Sequence, residues 1–154
     1  MVELLQAETA EQIGEVRTLF REYESWLDED LCFQSFEEEV RGLPGRYAMP
    51  DGRLILAVVD GRSSGCVAMR KIGDGICEMK RLFVRPEFQG LGIGNMLIEK
   101  VIASAREAGY EKLRLDTYPP KMGKAVKLYE SHGFYLIDAY YDNPYDVLFM
   151  ELAL

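Results

Sequence analysis

The stretch EMKRLFVRPEFQGLGIGN, from Glu78 to Asn95, determines which fold this chain of 154 residues can form. Its first part is typical of a β-strand, and Gly90, Gly92 and Gly94 then alternate with apolar residues. An apolar pattern with helical spacing follows and ends at Gly109, so we predict a strand, a glycine-rich turn and a helix. Free backbone N–H groups and the positive end of the dipole lie at such a helix start. The stretch therefore predicts a binding site for phosphate or pyrophosphate.

Three interpretations of the glycine-rich turn are open on the residues alone. The first is a plain connection between a strand and a helix. The second is a dinucleotide fingerprint, G-x-G-x-x-G, but Asn95 stands where the third glycine is required. Asp116, at the end of the next predicted strand, would suit a ribose-binding acid, whereas the proline-bearing segment before Gly90 argues against this interpretation. The third is the coenzyme A pyrophosphate loop, Q/R-x-x-G-x-G/A, which Gln89 to Gly94 match at every specified position.

Two neighbouring motifs favour the coenzyme A loop. Leu82-Phe83-Val84, followed by Pro86, precedes it, and the sequence AVKLYESHGF from Ala125 to Phe134 follows it. In their order and separation these motifs resemble the GNAT superfamily, the acyl-CoA-dependent N-acetyltransferases, whose helix motif is A-x-x-L-Y-E-x-x-G-F. The resemblance covers the chain from about Arg53 to its end, and the preceding residues more loosely. It implies an α/β fold with a mixed, mostly antiparallel sheet of about seven strands and about four helices, splayed near its middle to admit acetyl-CoA.

The resemblance also implies a reaction, in which acetyl-CoA as co-substrate gives its acetyl group to a primary amine. Tyr129 matches the motif tyrosine whose hydroxyl faces the CoA sulfur, so it is the candidate acid. Glu78 is the candidate base, because several GNAT enzymes carry their catalytic glutamate at this position; Asp116 is its rival, and a water relay stays open. Met122 departs from the family pattern, since many members have an asparagine there that binds the pantetheine arm. The residues assigned to the cofactor are Leu82, Phe83, Val84, Gln89, Gly90, Leu91, Gly92, Ile93, Gly94 and Asn95.

The strand from Ile76 to Arg85 changes the phase of its apolar alternation. Cys77 and Met79 share one parity, whereas Leu82 and Val84 have the other. Such a change predicts a β-bulge around Lys80-Arg81. The GNAT resemblance implies a bulge at the same place, where unpaired backbone groups can bind pantetheine.

Capping and turn residues predict the remaining elements. They indicate a strand over residues 2–6 and a helix that Thr9 and Gln12 cap and that ends at Asp28-Glu29-Asp30. A second helix is expected after Ser35. Further on, we expect a helix from about Gly123 to His132, after Tyr118-Pro119-Pro120 breaks a strand, and a last hairpin of residues 134–141 and 147–152.

Composition narrows the class of protein. The chain is 48% apolar and 29% charged, which predicts one globular domain over residues 1–154. No apolar run approaches membrane-spanning length and the N-terminus lacks a secretory signal, so we expect a cytoplasmic protein with no membrane partner. Cys32, Cys66 and Cys77 lack metal-binding spacing, and His132 is the only histidine, so we expect reduced thiols and no metal.

The net charge of −8 is concentrated at the front of the chain. Residues 8–39 contain 11 acidic side chains and two basic ones, and an acidic segment argues against a nucleic-acid partner. Because the resemblance places the two N-terminal helices beside the acceptor cleft, we predict a cationic acceptor: a polyamine, another aminated small molecule or a peptide amine. Solvated helix faces that only maintain solubility are the alternative. A GNAT-fold module that binds acyl-CoA without turnover is the alternative function, and a homodimer stays open.

Overall fold

The computed structural model describes residues 1–27 and 35–154, and its centre is a seven-stranded β-sheet. The predicted end of the first helix at Asp28-Glu29-Asp30 and the thiol of Cys32 lie outside the described residues, as do the side chains of residues 121 and 122. The strands are β1 (Val2–Gln6), β2 (Arg53–Val59), β3 (Arg62–Gly73), β4 (Ile76–Val84), β5 (Lys112–Thr117), β6 (Tyr135–Ile137) and β7 (Leu148–Ala153). The α-helices are α1 (Ala10–Leu27), α2 (Phe36–Arg41), α3 (Ile93–Glu107) and α4 (Pro119–Ser131).

The sheet is mixed and mostly antiparallel, as the sequence predicted. Its strand order is β1-β2-β3-β4-β5-β7-β6, and β4 and β5 form its parallel pair. The chain makes the crossover between these two strands through the glycine-rich turn and α3, because parallel neighbours require a long connection. The predicted phosphate-binding turn therefore lies at the end of β4, beside the parallel pair.

Two apolar clusters cover the two faces of the sheet. On one face α3 and α4 pack against residues such as Val67, Cys77 and Leu113, and on the other face α1 packs against Cys66 and Ala68. The ends of the helices follow the predicted capping chemistry. The Gln12 backbone N–H donates to Thr9 Oγ1 (3.1 Å) and the Thr9 N–H to Gln12 Oε1 (3.2 Å). After the end of α3, Gly109 adopts φ 86°, the left-handed conformation that is common just past the C-terminus of a helix.

The predicted bulge in β4 is confirmed. Cys66 of β3 pairs with Phe83, but Ala68 pairs with Lys80, so β4 contains one residue more than β3 over this interval. Arg81 takes up the extra length with φ 63°, a left-handed conformation that is rare for a residue other than glycine. Because of the bulge, Leu82 and Val84 after Arg81 lie on the same face as Met79 before it, the face that α3 covers. Phe83 lies on the other face. This explains the change of phase in the sequence.

β4 and β5 separate soon after they meet. Their pairing joins Ile76, Cys77 and Glu78 to residues 112–114, and among the described residues β4 has no further partner on β5. From Met79 onward, one edge of β4 is therefore without ladder hydrogen bonds to its neighbour. This separation is the splay that the resemblance implied.

Two predicted boundaries were wrong. α4 begins at Pro119, not near Gly123. Proline lacks a backbone N–H, but the N–H groups of the first helical turn have no acceptor within the helix, so nothing is lost there. The fixed φ of proline also suits that turn. β6 ends at Ile137 rather than at Tyr141. The following residues leave the sheet because the hydroxyls of Tyr140 and Tyr141 hydrogen-bond to carboxylates on β4 and β5.

Candidate active site

The glycine-rich turn opens α3 with backbone conformations that glycine adopts most easily. Gly90 has φ 87°, and Gly92, the N-cap of α3, has φ 77°. A Cβ atom at either position would meet no protein atom within 4 Å, so the space beside the turn is open. The first intrahelical bond of α3 runs from the Met96 N–H to the Gly92 carbonyl (3.1 Å), which leaves the preceding N–H groups of the turn without helical acceptors. The turn thus offers the donors and the space that a pyrophosphate requires.

A cleft of about 860 Å³ leads from this turn along β4 to α4. Nine of the ten residues predicted to hold the cofactor line it: Leu82, Phe83, Val84, Gln89, Gly90, Gly92, Ile93, Gly94 and Asn95. Leu91 is not among the lining residues, and its side chain is 57% exposed. The far end of the cleft is formed by α4, including Ala125, Leu128 and Tyr129. The structure therefore brings the predicted cofactor residues and the candidate acid to one cleft.

Tyr129 is buried, with 4% of its surface exposed, and lines the cleft from α4. Its ring packs edge-on against Phe134, with 5.7 Å between the ring centroids. Among the described residues its hydroxyl has no hydrogen-bond partner. Burial raises the pKa of this hydroxyl above its ordinary value, so Tyr129 keeps its proton at neutral pH. A general acid requires this state.

Glu78 lies on the opposite face of the sheet, where 1% of its surface is exposed. Its carboxylate accepts hydrogen bonds from Arg70 Nε (3.0 Å) and the Tyr140 hydroxyl (2.7 Å), and Lys80 Nζ lies 3.8 Å away. Burial alone would raise the pKa of Glu78, but Lys80, Tyr140 and Arg70 together hold that pKa below its ordinary value. A carboxylate held in its charged form by two hydrogen bonds and a nearby ammonium group is a weaker proton acceptor.

Asp116 lies on the same face, on the part of β5 that has separated from β4. It is half-buried and accepts a hydrogen bond from the Tyr141 hydroxyl (2.5 Å), which in turn accepts one from Asn143 (2.9 Å). Lys80 lies near both candidate bases. Burial lowers the pKa of the Lys80 ammonium and Arg81 lowers it further, while Glu78 and Asp116 oppose that change.

Several polar residues of this site were missed by sequence reasoning. Tyr140 and Tyr141 were assigned to a strand, so their contacts with Glu78 and Asp116 were not anticipated. For the charged partners of Glu78, the pairing of the strands contains a signal that could have found them. Arg70 pairs across the sheet with Glu78, Glu78 with Arg114, and Arg114 with Glu151, so charges of alternating sign form a ladder across four strands.

Among the described residues, three acidic side chains of the segment 8–39 form ion pairs with arginines. Glu22 binds Arg85 (2.7 Å), Glu37 binds Arg21 (3.0 Å) and Glu39 binds Arg81 (2.9 Å). The last pair is nearly buried, since the Arg81 side chain is 2% exposed. These arginines neutralise part of the negative charge that the sequence places in residues 8–39.

The surroundings of Cys66, Cys77 and His132 indicate structural roles for these side chains. Cys66 and Cys77 are free and buried, and burial raises the pKa of the Cys77 thiol to about 12. His132 Nε2 lies 2.7 Å from Asn95 Oδ1 and joins the end of α4 to the start of α3.

Within residues 1–27 and 35–154, no group of three His, Cys, Asp or Glu side chains is placed to hold a metal ion. None of the described helices is both long and apolar enough to cross a membrane.

The sequence matches the model of the family described as "Acetyltransferase (GNAT) family" over residues 13–134. An uncharacterized N-acetyltransferase of Dictyostelium discoideum is 34% identical, with 96% of this chain and 97% of that protein covered. An uncharacterized N-acetyltransferase of Schizosaccharomyces pombe (strain 972 / ATCC 24843) is 36% identical, with 94% and 90% covered.

Solved structures show the same fold. The crystal structure of a GNAT family acetyltransferase from Staphylococcus aureus Mu50 superposes with a TM-score of 0.83 at 18% identity and covers 99% of both chains. A GNAT family acetyltransferase from Elizabethkingia anophelis with acetyl-CoA bound superposes with a TM-score of 0.59 at 27% identity, over 68% of this chain and 77% of that one. With the family model matching most of its length and the sheet splayed beside an open glycine turn, the chain belongs to the GNAT acetyltransferase family.

Proposed function

We propose that this chain transfers an acetyl group from acetyl-CoA to a primary amine. One observation carries the proposal: the open glycine turn at the start of α3 and the Tyr129 hydroxyl line the same cleft, beside the free edge of β4. A pyrophosphate bound at the turn would let the pantetheine arm follow that edge and would bring the thioester to Tyr129. The neighbour that holds acetyl-CoA supports this assignment.

The reaction requires two proton movements at opposite ends of the site. The amine nitrogen attacks the thioester carbonyl carbon, so a C–N bond forms and the C–S bond breaks. Tyr129 gives its proton to the leaving sulfur and regains one from solvent. The amine must first lose a proton, because an alkylammonium with a pKa of about 10 has no lone pair for attack.

For the base, the hydrogen bonds favour Asp116 over Glu78. Glu78 is tied to Arg70, Lys80 and Tyr140, whereas the described donor to Asp116 is the Tyr141 hydroxyl. In the proposed mechanism, Asp116 takes the amine proton directly, through Tyr141 or through a water molecule. Glu78 then fixes Tyr140 and Lys80 beside the acceptor.

The cationic nature of the acceptor stays a prediction. Its electrostatic basis is smaller than the sequence suggested, because Glu22, Glu37 and Glu39 each pair with an arginine. The dependence of kcat/KM on ionic strength tests it, since screening would lower the rate for a cation attracted by unpaired acids. A cytoplasmic location and a homodimer stay predictions as well.

A screen of primary amines with acetyl-CoA tests the proposed activity. Free thiol and acetylated amine should appear together, in equal amounts, for at least one class of amine. If the protein binds acetyl-CoA tightly but no amine in the screen causes thiol release, it is instead the acyl-CoA-binding module without turnover.

A further inference from the structure

A small cavity beside Glu78 is rich in guanidinium groups. It has a volume of about 340 Å³ and lies on the sheet face that carries Glu78 and Asp116, opposite α3. Its charged lining consists of Arg46, Arg70 and Arg114 against the one carboxylate of Glu78. The chain as a whole has a net charge of −8, whereas the charged side chains that line this cavity have a net positive charge.

Each arginine of this cavity keeps donors that its protein partners do not use. Arg46 donates to the Lys71 carbonyl (2.6 Å) and has no carboxylate partner among the described residues. Arg70 Nε donates to Glu78 (3.0 Å), and Arg114 Nε donates to Glu151 (2.8 Å). Because a guanidinium carries five N–H donors, these bonds leave further donors available to a ligand. They are Nε and Nη1 of Arg46 and the terminal nitrogens of Arg70 and Arg114.

An unpartnered hydroxyl in the adjoining cavity points to the same kind of ligand. That cavity, of about 270 Å³, shares Arg46 and Arg70 with the first and is also lined by Tyr47 and by the carboxylates of Glu38 and Glu39. Tyr47 is 2% exposed, and its hydroxyl has no hydrogen-bond partner among the described residues. A buried hydroxyl without a partner is unfavourable. Because Glu39 is paired with Arg81 and Glu38 is exposed, a ligand oxygen held by Arg46 and Arg70 can accept a hydrogen bond from this hydroxyl.

We propose that Arg46 and Arg70, with the Tyr47 hydroxyl, bind a carboxylate of the acceptor. The acceptor is then a small amine that also carries a carboxylate, such as an amino acid or a short peptide. This inference rests on the proposed acetyl transfer and names the substrate class of that site. A carboxylate fits better than a phosphate monoester, because Glu78 in the same cavity repels the denser charge and a planar carboxylate matches the guanidinium fork.

The position of the cavity determines the orientation in which the acceptor would bind. Tyr141 lines the cavity and also donates to Asp116, the proposed base. Glu78, another lining residue, is the last residue of β4 that pairs with β5 before the strands separate. A ligand held by its carboxylate at Arg46 and Arg70 can therefore extend past Tyr141 and place its amine near Asp116 and the splay.

Matched acceptors that differ in one group test this inference. L-alanine, L-glutamate and glycylglycine are each compared with their C-terminal amides, and β-alanine is compared with O-phosphoethanolamine, by thiol release. We expect kcat/KM to be about 10- to 100-fold higher for the best acid than for its amide, since charged hydrogen bonds contribute about 1.5–3 kcal/mol. Equal rates for acids and amides would overturn the proposal, and a preference for O-phosphoethanolamine would assign the cavity to phosphate instead.

Variants of Arg46 provide the second arm of this test. Arg46→Gln should raise KM for the carboxylate acceptor about 10-fold or more, leave KM for acetyl-CoA unchanged and have no effect on the amide. Arg46→Lys should restore part of the affinity. Arg53→Gln is the matched control, because Arg53 also donates to backbone carbonyls (2.7 and 2.8 Å) but lies outside both cavities. Tyr47→Phe should raise the same KM without lowering the melting temperature.

A calorimetric titration separates this inference from the proposed activity. If no amine releases thiol, the acetyl transfer is wrong, but L-glutamate titrated into the protein with CoA present still tests the cavity. Binding that Arg46→Gln weakens and Arg53→Gln preserves would support the carboxylate site. Absence of binding, or binding that both variants retain, would contradict it.

Discussion

At the scale of single residues, the proposed proton donor and the two candidate bases lie on different faces of the sheet. Burial raises the pKa of Tyr129, so the hydroxyl is available as a proton donor at the cleft. On the other face of the sheet, hydrogen bonds from Arg70 and Tyr140 keep Glu78 charged. Asp116 lies on that same face, beyond the point where β4 and β5 separate. The proposed proton donor and proton acceptor thus lie on opposite sides of the splay, so each can act on a different end of the proposed reaction.

Replacing Tyr129 by phenylalanine should lower kcat by about 100-fold or more, the range typical of general acid catalysis. Because the hydroxyl has no partner among the described residues, the variant should keep its melting temperature and its affinity for acetyl-CoA. Steady-state kinetics, calorimetry and thermal unfolding together measure these effects. An unchanged kcat would mean that the leaving sulfur is protonated by another group.

The substitutions Asp116→Asn and Glu78→Gln should have different effects on catalysis and stability. Asp116→Asn should depress kcat/KM most at low pH, where the amine is mainly protonated, with little change in stability. Glu78→Gln leaves the Lys80 and Arg70 cations without their carboxylate, so it should lower the free energy of unfolding by about 3 kcal/mol. Rate profiles against pH and denaturant unfolding of both variants distinguish the roles. A loss at low pH in Glu78→Gln alone would reverse the assignment.

At the scale of the element, the start of α3 and the bulge of β4 shape two walls of the cleft that we propose binds acyl-CoA. Gly92 sets the first wall by opening the helix from a left-handed conformation. Arg81 sets the second, because its φ of 63° turns the following residues toward α3. Neither wall contains a reacting group, and both act by placing backbone donors and acceptors beside the ligand.

Gly92→Asp should abolish the binding of acetyl-CoA, because the new carboxylate enters the open space where the pyrophosphate binds. The variant also bears the strain of a side chain at φ 77°. Gly61→Asp is the matched control, since Gly61 has φ 80° and no neighbour of a Cβ within 4 Å but lies in the turn between β2 and β3. Calorimetry should show binding lost in the first variant and kept in the second; equal affinities would refute the loop assignment.

The charge ladder across the sheet should make stability depend on acid pH. Burial opposes ionisation of Glu78 and Glu151, but their donors keep both pKa values below the ordinary value. A lowered pKa means that the stabilisation is complete above the unfolded-state pKa of about 4.3 and is lost as the pH falls through the folded-state value. The melting temperature should therefore drop below about pH 4, and less steeply in Glu78→Gln than in the parent. Equal slopes would show that Glu78 contributes nothing to this dependence.

Local patterns predicted the elements whose signals lie within a few residues. The glycines of the turn, the Thr9 capping box and the change of phase in β4 each have a short-range cause, and all three were correct. The tyrosines at positions 140 and 141 were misplaced, because their conformation depends on carboxylates that are distant in sequence. The arginine cavity was missed for the same reason, since Arg46, Arg70 and Arg114 meet only when the sheet forms.

At the scale of the whole molecule, a nearly buried ion pair connects α2 to the bulge of β4. Glu39 of α2 binds Arg81 through two hydrogen bonds of 2.9 and 3.0 Å, and Arg81 is the bulge residue of β4. Phe36 and Tyr23 also pack against the Arg81 guanidinium, at 4.9 and 5.9 Å from the ring centroids. The acidic segment thus serves partly to hold the bulge that shapes the cleft.

Glu39→Gln should destabilise the protein by about 3 kcal/mol, because it leaves the buried Arg81 without its counter-charge. It should also weaken acetyl-CoA binding, since the bulge would lose its support from α2. Glu38→Gln removes the same charge from an exposed neighbour and should change neither property by much. Denaturant unfolding and calorimetry measure the two effects, and similar results for both variants would contradict the structural role of Glu39.

The most direct test of the acetyl transfer follows the acetyl group itself. Acetyl-CoA with a carbon-13 label in the acetyl group is incubated with the protein and an accepted amine, and NMR follows the label while free thiol is measured. We predict that the label moves to the amine nitrogen in proportion to thiol release, and that Gly92→Asp prevents both changes while Gly61→Asp does not. Thiol release with the label appearing as acetate, or transfer to the amine that Gly92→Asp leaves intact, would contradict the proposed acetyltransferase site.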